Sequence, residues 1–191
     1  MFRNMPQGKS ITPGYTVIYP NRDKPTSKTT KAIVVLIMLI SVGLMLIVTV
    51  GGWSKLQGMK PVNFVWCLAY VIIAFYIATR WSRGLLPIVA ALAILLLIMA
   101  VIAGTGAAGT SWFNRNSFGF AGAHSLFGGK GLTPDTLDLV TILMIPLEAL
   151  LIIIAMIGFA QGWNVEMEVP EDEAKKKGLK PAYRGPETSA A

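Results

Sequence analysis

Four long apolar runs dominate the chain, and polar stretches separate them. A helix needs about 20 apolar residues to cross roughly 30 Å of hydrocarbon, which is close to the length of each run. The runs lack the alternation of apolar and polar positions that barrel strands show. The sequence therefore predicts an all-α integral membrane protein, a four-transmembrane-helix bundle with spans at about 32–52, 62–79, 85–104 and 134–163.

Prolines support the starts of three of these spans. Pro61, Pro87 and Pro134 fall where a first helical turn would lie, and proline suits that turn because its missing N–H has no partner there. Thr133 precedes Pro134 and can cap the fourth span. The first run follows a long polar segment and is not followed by a cleavage pattern, so we interpret it as an uncleaved span.

Polar segments flank and join the spans. Residues 1–31 predict an extended cytoplasmic polar arm interrupted by prolines, with "YTVIY" as a candidate short strand, and residues 164–191 predict a charged cytoplasmic tail. The tail is either solvated and disordered or ordered by a partner. The external loop 105–132, rich in glycine and aromatic residues, is either a mobile loop touching headgroups or an ordered docking surface.

Composition and charge agree with a membrane protein. Hydrophobic residues make up 53% of the chain, charged residues 14%, and the mean hydropathy is +0.58. The net charge of +7 lies at the two ends and in short connectors, without the basic patch or reader motif of a nucleic-acid-binding protein. Of the 17 Lys and Arg residues, 13 lie in the arm, the tail and the 80–83 connector. This excess predicts a multi-pass protein of the cell membrane with both termini cytoplasmic.

One acidic residue interrupts the fourth span. Glu148 lies near the middle of "LMIPLEALLIII", residues 143–154, where a charge costs at least about 2.5–3.5 kcal/mol. Desolvation favours the neutral carboxylic acid, and the side chain should point into protein rather than lipid. Ser41 and Tyr70 lie near the midpoints of the first and second spans, so we predict a buried polar cluster of Glu148, Tyr70 and Ser41.

The helix around Glu148 carries two further signals. Thr141, Ala155 and Gly162 recur with Glu148 at intervals of seven residues and predict a helix-packing seam of small or polar side chains. Pro146 removes a backbone hydrogen bond and predicts a kink. Three roles are open for Glu148: a structural pin that sets helix register, a contact with another subunit, or a carrier in proton or ion coupling.

The chain lacks the residue sets of common membrane chemistry. Its only histidine, His124, lies in the external loop, whereas b-type haem usually needs two axial histidines in the spans. His124 and the adjacent Ser125 have no orienting carboxylate, and Cys67 is the only cysteine. We therefore expect no enzyme, no haem or other cofactor, and no metal site.

These observations lead to three functional hypotheses. The first is a non-enzymatic accessory or assembly subunit of a multi-protein prokaryotic membrane complex, with an energy-transducing complex of respiratory type as one candidate; its partners would be the lipid bilayer and other membrane subunits. The alternative is a small proton-coupled transporter or ion-translocating oligomer that uses Glu148. A membrane enzyme acting on lipid is a third class, but no residue constellation supports it.

Overall fold

Four long helices form the body of the molecule. The computed structural model describes residues 3–4, 14–106, 109–114, 124–179 and 181. The helices are α1 (Pro25–Gly51), α2 (Lys60–Arg80), α3 (Leu86–Gly104) and α4 (Pro134–Ala160). Each is long and apolar enough to cross a membrane, α3 together with the 3-10 turn Arg83–Leu85 that precedes it. The prediction of four apolar helices of spanning length is confirmed.

Two helix ends differ from the predicted ones. α1 begins at Pro25 rather than at residue 32, because proline at its first position starts the helix within the polar arm. α4 ends at Ala160 rather than at residue 163, since Gly162 adopts a left-handed φ of 63° that breaks the helix. At the start of α4, the Thr136 N–H donates to the Thr133 hydroxyl at 3.3 Å, as the predicted cap requires.

A small antiparallel sheet joins the two arms and corrects the all-α prediction. Its central strand, β3 (Met167–Pro170), pairs with β1 (Arg3–Asn4) on one side and β2 (Tyr15–Ile18) on the other. The short helix α5 (Glu171–Lys176) follows β3.

Burial explains why this part of the tail is not a solvated extension. Ile18, Val169 and Ala174 form a small core of their own beside the sheet. The candidate strand at "YTVIY" is present as β2, and the tail residues Met167–Pro170 pair with this strand of the same chain. Residues 1–2, 5–13, 180 and 182–191 of the predicted arm and tail lie outside the described residues.

The four helices pack as an incomplete ring. α1 and α4 lie against each other, α2 packs along α1, and α3 packs along α4, whereas the backbones of α2 and α3 do not approach each other closely. We call the end of the bundle that carries the sheet and the 81–85 connector the arm end. The opposite end, with the 52–59 connector and residues 105–106, 109–114 and 124–132, is the loop end.

Glycines allow the closest helix contacts. A Cβ on Gly104 of α3 would lie 3.1 Å from the Ile142 Cγ1 atom and 3.2 Å from the Thr141 Cγ2 atom of α4. A Cβ on Gly158 would lie 3.2 Å from atoms of Thr30 and Trp163. Small residues therefore do form the helix seams, as expected for helices in lipid.

The described part of the external loop packs on the loop end. Phe113 is buried against Val48 and Leu137, and the Trp112 indole N–H donates to the Lys55 carbonyl at 3.1 Å. Backbone N–H groups of Leu126 and Leu132 donate to the last turn of α1. These contacts favour the ordered alternative for residues 109–114 and 124–132, while residues 107–108 and 115–123 lie outside the described residues.

Candidate functional site

The helices carry three polar side chains to one depth. Tyr70 is the middle residue of α2, Glu148 lies next to the midpoint of α4, and Ser41 lies within one turn of the midpoint of α1. All three are completely buried, with 0% of each residue exposed. Because α1, α2 and α4 each supply one residue, this cluster links three of the four helices.

The carboxyl group of Glu148 occupies the centre of the cluster. The Ser41 hydroxyl donates to the Oε1 atom at 2.6 Å, and the Tyr70 hydroxyl donates to the Oε2 atom at 2.8 Å. Both carboxyl oxygens therefore have a partner, as a buried polar group requires. The structure brings together the three residues that the sequence analysis predicted to meet.

The cluster contains no cation. Within the described residues the ion pairs are Lys28–Asp23 at 3.8 Å and Lys177–Glu173, both exposed and outside the middle of the bundle. A carboxylate buried without a counter-charge is costly, so the surroundings favour the neutral acid. In that form one of the two hydrogen bonds runs in reverse, from the carboxyl O–H to a hydroxyl oxygen.

Apolar side chains enclose the cluster along the bundle axis. Met45 follows Ser41 by one turn toward the loop end, and Met144 precedes Glu148 by one turn toward the same end. Leu151 is fully buried on the opposite side of Glu148. The indole nitrogen of Trp66, one turn from Tyr70 on α2, is also buried.

The predicted seam on α4 is partly correct. Thr141 and Ala155 are buried on the face that carries Glu148, but the Thr141 hydroxyl donates to the Leu137 carbonyl of its own helix at 2.8 Å. Gly162 does not belong to the helical seam, because it follows the end of α4. The full buried stripe of α4 alternates steps of three and four residues: Leu137, Thr141, Met144, Glu148, Leu151, Ala155 and Gly158.

Pro146 lies inside α4 without ending it. The helix is continuous from Pro134 to Ala160, and the proline is on the exposed side of the helix. A proline ring facing away from the other helices disturbs the packed face least. The predicted kink at this residue stays a prediction.

A second polar cluster at the arm end has no signal in the sequence. The Tyr19 hydroxyl donates to the Glu166 carboxylate at 2.8 Å, and the Arg22 guanidinium lies 3.7 Å from the centre of the Tyr19 ring. Arg22 also donates to the Trp163 carbonyl at 3.1 Å and to the Asn164 side chain at 2.9 Å. Tyr19 and Glu166 are 147 positions apart, so only the folded chain brings them together.

The electrostatics of this second cluster follow from its contacts. The hydrogen bond to Glu166 raises the pKa of Tyr19, and burial and the charge of Glu166 raise it further. Burial lowers the pKa of Arg22, against the opposing effect of Tyr19 and Glu166. Tyr19 in contact with Glu166 therefore keeps its neutral, hydrogen-donating form to a higher pH than a tyrosine in an unfolded chain.

Cations also satisfy carbonyls at helix ends. Arg83 donates from Nε to the Phe159 carbonyl at 2.7 Å, and Lys31 donates to the Ala78 carbonyl at 2.8 Å. Positive charge at a helix C-terminus is favourable because carbonyls there are unpaired and the helix dipole is negative.

Trp163 is fully buried beside Trp81, with ring centres 5.4 Å apart, so it is a core residue rather than the interfacial aromatic that its position suggests.

Other candidate chemistry is not assembled in the described residues. His124 is exposed, and its backbone N–H donates to the Ser54 hydroxyl at 2.7 Å. Within the described residues, no group of three or more His, Cys, Asp or Glu side chains is placed to hold a metal ion.

Comparisons with known proteins do not connect the chain to a family. No protein-family model, curated protein or solved structure matches it.

Proposed function

We propose that this chain is a non-enzymatic accessory or assembly subunit of a multi-protein prokaryotic membrane complex. It crosses the cell membrane four times with both ends in the cytoplasm. Pairing of β2 with β3 holds both arms at one end of the bundle, which supports two ends on the same side. The excess of Lys and Arg in the arm, the tail and the 80–83 connector supports the cytoplasm as that side.

The observation that carries this proposal is the enclosed state of Glu148. Its two oxygens are engaged by Ser41 and Tyr70, from two other helices. The spans hold no second acidic residue near the middle of the bundle that could pass a proton onward. A carboxyl group in this setting supports a structural pin, which fixes the register of α1, α2 and α4, and hence a scaffold rather than a catalyst.

The exposed flank of α2 supports neighbouring membrane subunits. α2 packs along α1 and reaches α4 through Tyr70, while its outer face is free: Val65, Leu68 and Phe75 are each at least 60% exposed. A helix with this much free apolar surface has room for transmembrane helices of other chains. Energy-transducing complexes of respiratory type are the first class to examine, because they are built from many such subunits.

Purification at native expression tests the subunit role. We expect a chromosomally tagged chain in mild detergent to elute with other membrane proteins at fixed stoichiometry. The Glu148→Gln variant should behave in the same way, because glutamine retains the size and hydrogen-bonding capacity of the neutral acid. Elution as a lone monomer would contradict the proposal.

A small proton-coupled transporter is the second candidate. The observation that favours it is an open cavity whose wall includes Met45 and Met144, each one turn from the polar cluster. If Glu148 carries protons, Glu148→Gln abolishes proton-coupled flux in reconstituted vesicles, measured with an enclosed pH-sensitive dye, while Tyr76→Phe on the exposed side of α2 does not. Equal flux in wild type and Glu148→Gln rules this candidate out.

A further inference from the structure

An open cavity of about 190 Å³ lies in the half of the bundle nearer the loop end. All four long helices contribute to its wall, and Trp112 of the external loop joins them. Methionine is prominent because its flexible side chain adapts to apolar molecules of varied shape. The wall includes Met45, Met59, Met99, Met144, Trp112 and Phe113.

The cavity wall includes residues from both sides of the gap in the ring of helices. Asn63 belongs to α2 and Ala103 to α3, the two helices whose backbones do not approach each other closely. Ile102, in the last turn of α3, lines the same cavity and is 49% exposed, so the cavity wall extends to the outer flank of α3 near the loop end. In a bilayer, that flank faces acyl chains.

Polar groups in the wall are already engaged. The Asn63 amide donates to the Thr49 hydroxyl at 3.0 Å, and the Thr141 hydroxyl donates within α4. The Trp112 indole N–H donates to the Lys55 carbonyl. A polar substrate would find few partners here, whereas a hydrocarbon chain needs none.

A cation lies beside the cavity at the loop end of α2. Lys60 is the first residue of α2, between the wall residues Met59 and Asn63, and its ammonium group lies 4.4 Å from the centre of the Trp53 ring. Lysine and tryptophan near the end of a span suit the headgroup region, where an ammonium attracts phosphate.

We propose that this cavity binds one acyl chain of an anionic phospholipid from the leaflet at the loop end, with the phosphate near Lys60. The acyl chain enters sideways between α2 and α3. Its end lies against Met45 and Met144, one helical turn from the Glu148 cluster toward the loop end. The proposal rests on the membrane placement proposed above but not on the subunit role.

Lipid retention in native mass spectrometry tests the site. The protein is reconstituted in vesicles of palmitoyl-oleoyl phosphatidylglycerol, extracted in detergent, and scored for bound lipid. We expect one retained lipid per wild-type chain and at least a tenfold loss in Ala100→Phe and in Ala103→Phe, because both positions line the cavity. Ala91→Phe, on the exposed side of α3, is the matched control and should retain the lipid.

Further arms separate the possible sources of the bound molecule. Lys60→Gln should weaken retention of phosphatidylglycerol several-fold, with little change for phosphatidylcholine of the same chains. Retention equal in wild type and both cavity variants, or capture of an isoprenoid quinone in preference to phospholipid, would overturn the proposal. Release of the protein from membranes by alkaline carbonate would instead contradict the proposed membrane placement. The failure of the lipid site and the failure of the membrane placement are therefore distinguishable.

Discussion

The molecule contains the same hydrogen bond in two different surroundings. Tyr70 donates to Glu148 in the middle of the bundle, and Tyr19 donates to Glu166 at the arm end, each at 2.8 Å. The inner carboxyl has a second hydroxyl donor, Ser41, and no cation. The outer pair is only partly buried and has the Arg22 guanidinium over the tyrosine ring.

The difference lies in how each carboxyl group is supported. At the arm end, water and a guanidinium stabilise negative charge, so the loss of one hydrogen bond leaves other partners. Inside the bundle, hydroxyl groups on neighbouring helices are the partners, and a lost bond cannot be replaced by bulk water. The two hydrogen bonds have the same length, but their surroundings predict that the inner one contributes more to stability. Substitutions can test this difference directly.

Removing the inner carboxyl should have the largest effect. Glu148→Ala leaves the Ser41 and Tyr70 hydroxyls without their partner and opens a void between three helices. Hydrogen bonds between membrane helices contribute about 0.6–1.7 kcal/mol each, and the void adds to their loss. We expect a loss of about 2–4 kcal/mol in the free energy of unfolding, measured by denaturation in bicelles.

Glu148→Gln is the matched control for that variant. It keeps the volume and one oxygen acceptor, and its NH₂ group can donate to the second hydroxyl. A change within about 1 kcal/mol is expected if the acid is neutral in the wild type. A loss as large as that of Glu148→Ala would show that the negative charge itself is required, and the two clusters would then be more alike than their surroundings indicate.

The inner cluster and part of the α4 seam could be predicted from the sequence, because their residues stand out within the apolar spans. An acid in an apolar run is conspicuous, and equal depth along the spans was enough to select Ser41 and Tyr70 as partners. The seven-residue repeat predicts Thr141, Ala155 and Gly162 alike, but only the first two lie within α4. Where a helix stops depends on a backbone conformation that such a repeat does not encode.

The arm-end cluster and the sheet could not be predicted in the same way. Four-residue strands such as β2 and β3 have too little sequence pattern to show that they pair with each other, and Tyr19 has no feature that selects Glu166. The sequence shows that Trp163 lies near a span end, but not that its side chain is covered by other parts of the chain. The incomplete contact between α2 and α3 was hidden for the same reason, since apolar side chains face both lipid and protein.

The junction between the two regions provides the second prediction. Gly158 lies on the buried face of α4, between the Glu148 cluster and the arm end. An added Cβ would meet atoms of Thr30, Leu86 and Trp163, each at 3.2 Å. Overpacking of this kind costs about 1–3 kcal/mol, so Gly158→Ala should lower stability by that amount. Gly43→Ala is the control, because its Cβ meets nothing within 4 Å.

Exchange at Trp163 shows which region Gly158→Ala disturbs. Faster hydrogen exchange at the indole N–H of Trp163, which donates to Gln161 at 2.8 Å, would locate the disturbance at the arm end. Gly158→Ala with the same stability as Gly43→Ala would mean that the arm end yields to the added methyl without cost.

Removing one hydroxyl from the inner cluster should have a smaller effect. Tyr70→Phe keeps the ring in place but leaves one oxygen of Glu148 without its donor. We expect a loss of about 0.6–1.7 kcal/mol in bicelles. Tyr76→Phe, on the same helix with 47% of the residue exposed, should leave stability unchanged. Equal stability of both variants would show that the inner hydrogen bond contributes no more than an exposed hydroxyl.

The corresponding change at the arm end, Tyr19→Phe, should cost less than about 1 kcal/mol, because the pair is partly exposed. Its clearest signature is the dependence on pH. The raised pKa of Tyr19 means that the contact stabilises the folded arm fully below the tyrosine's unfolded pKa of about 10. That stability is lost as the pH rises through the higher folded value, when the donor hydrogen is removed.

Limited proteolysis of the β3 segment between neutral and strongly alkaline pH measures this loss of stability. Wild type and Tyr15→Phe, an exposed tyrosine on β2, should become more sensitive at alkaline pH, whereas Tyr19→Phe should be slightly more sensitive throughout and lack that alkaline step. An alkaline step of unchanged size in Tyr19→Phe would mean that another group releases the arm, and the comparison between the two tyrosines would then not extend to their ionisation.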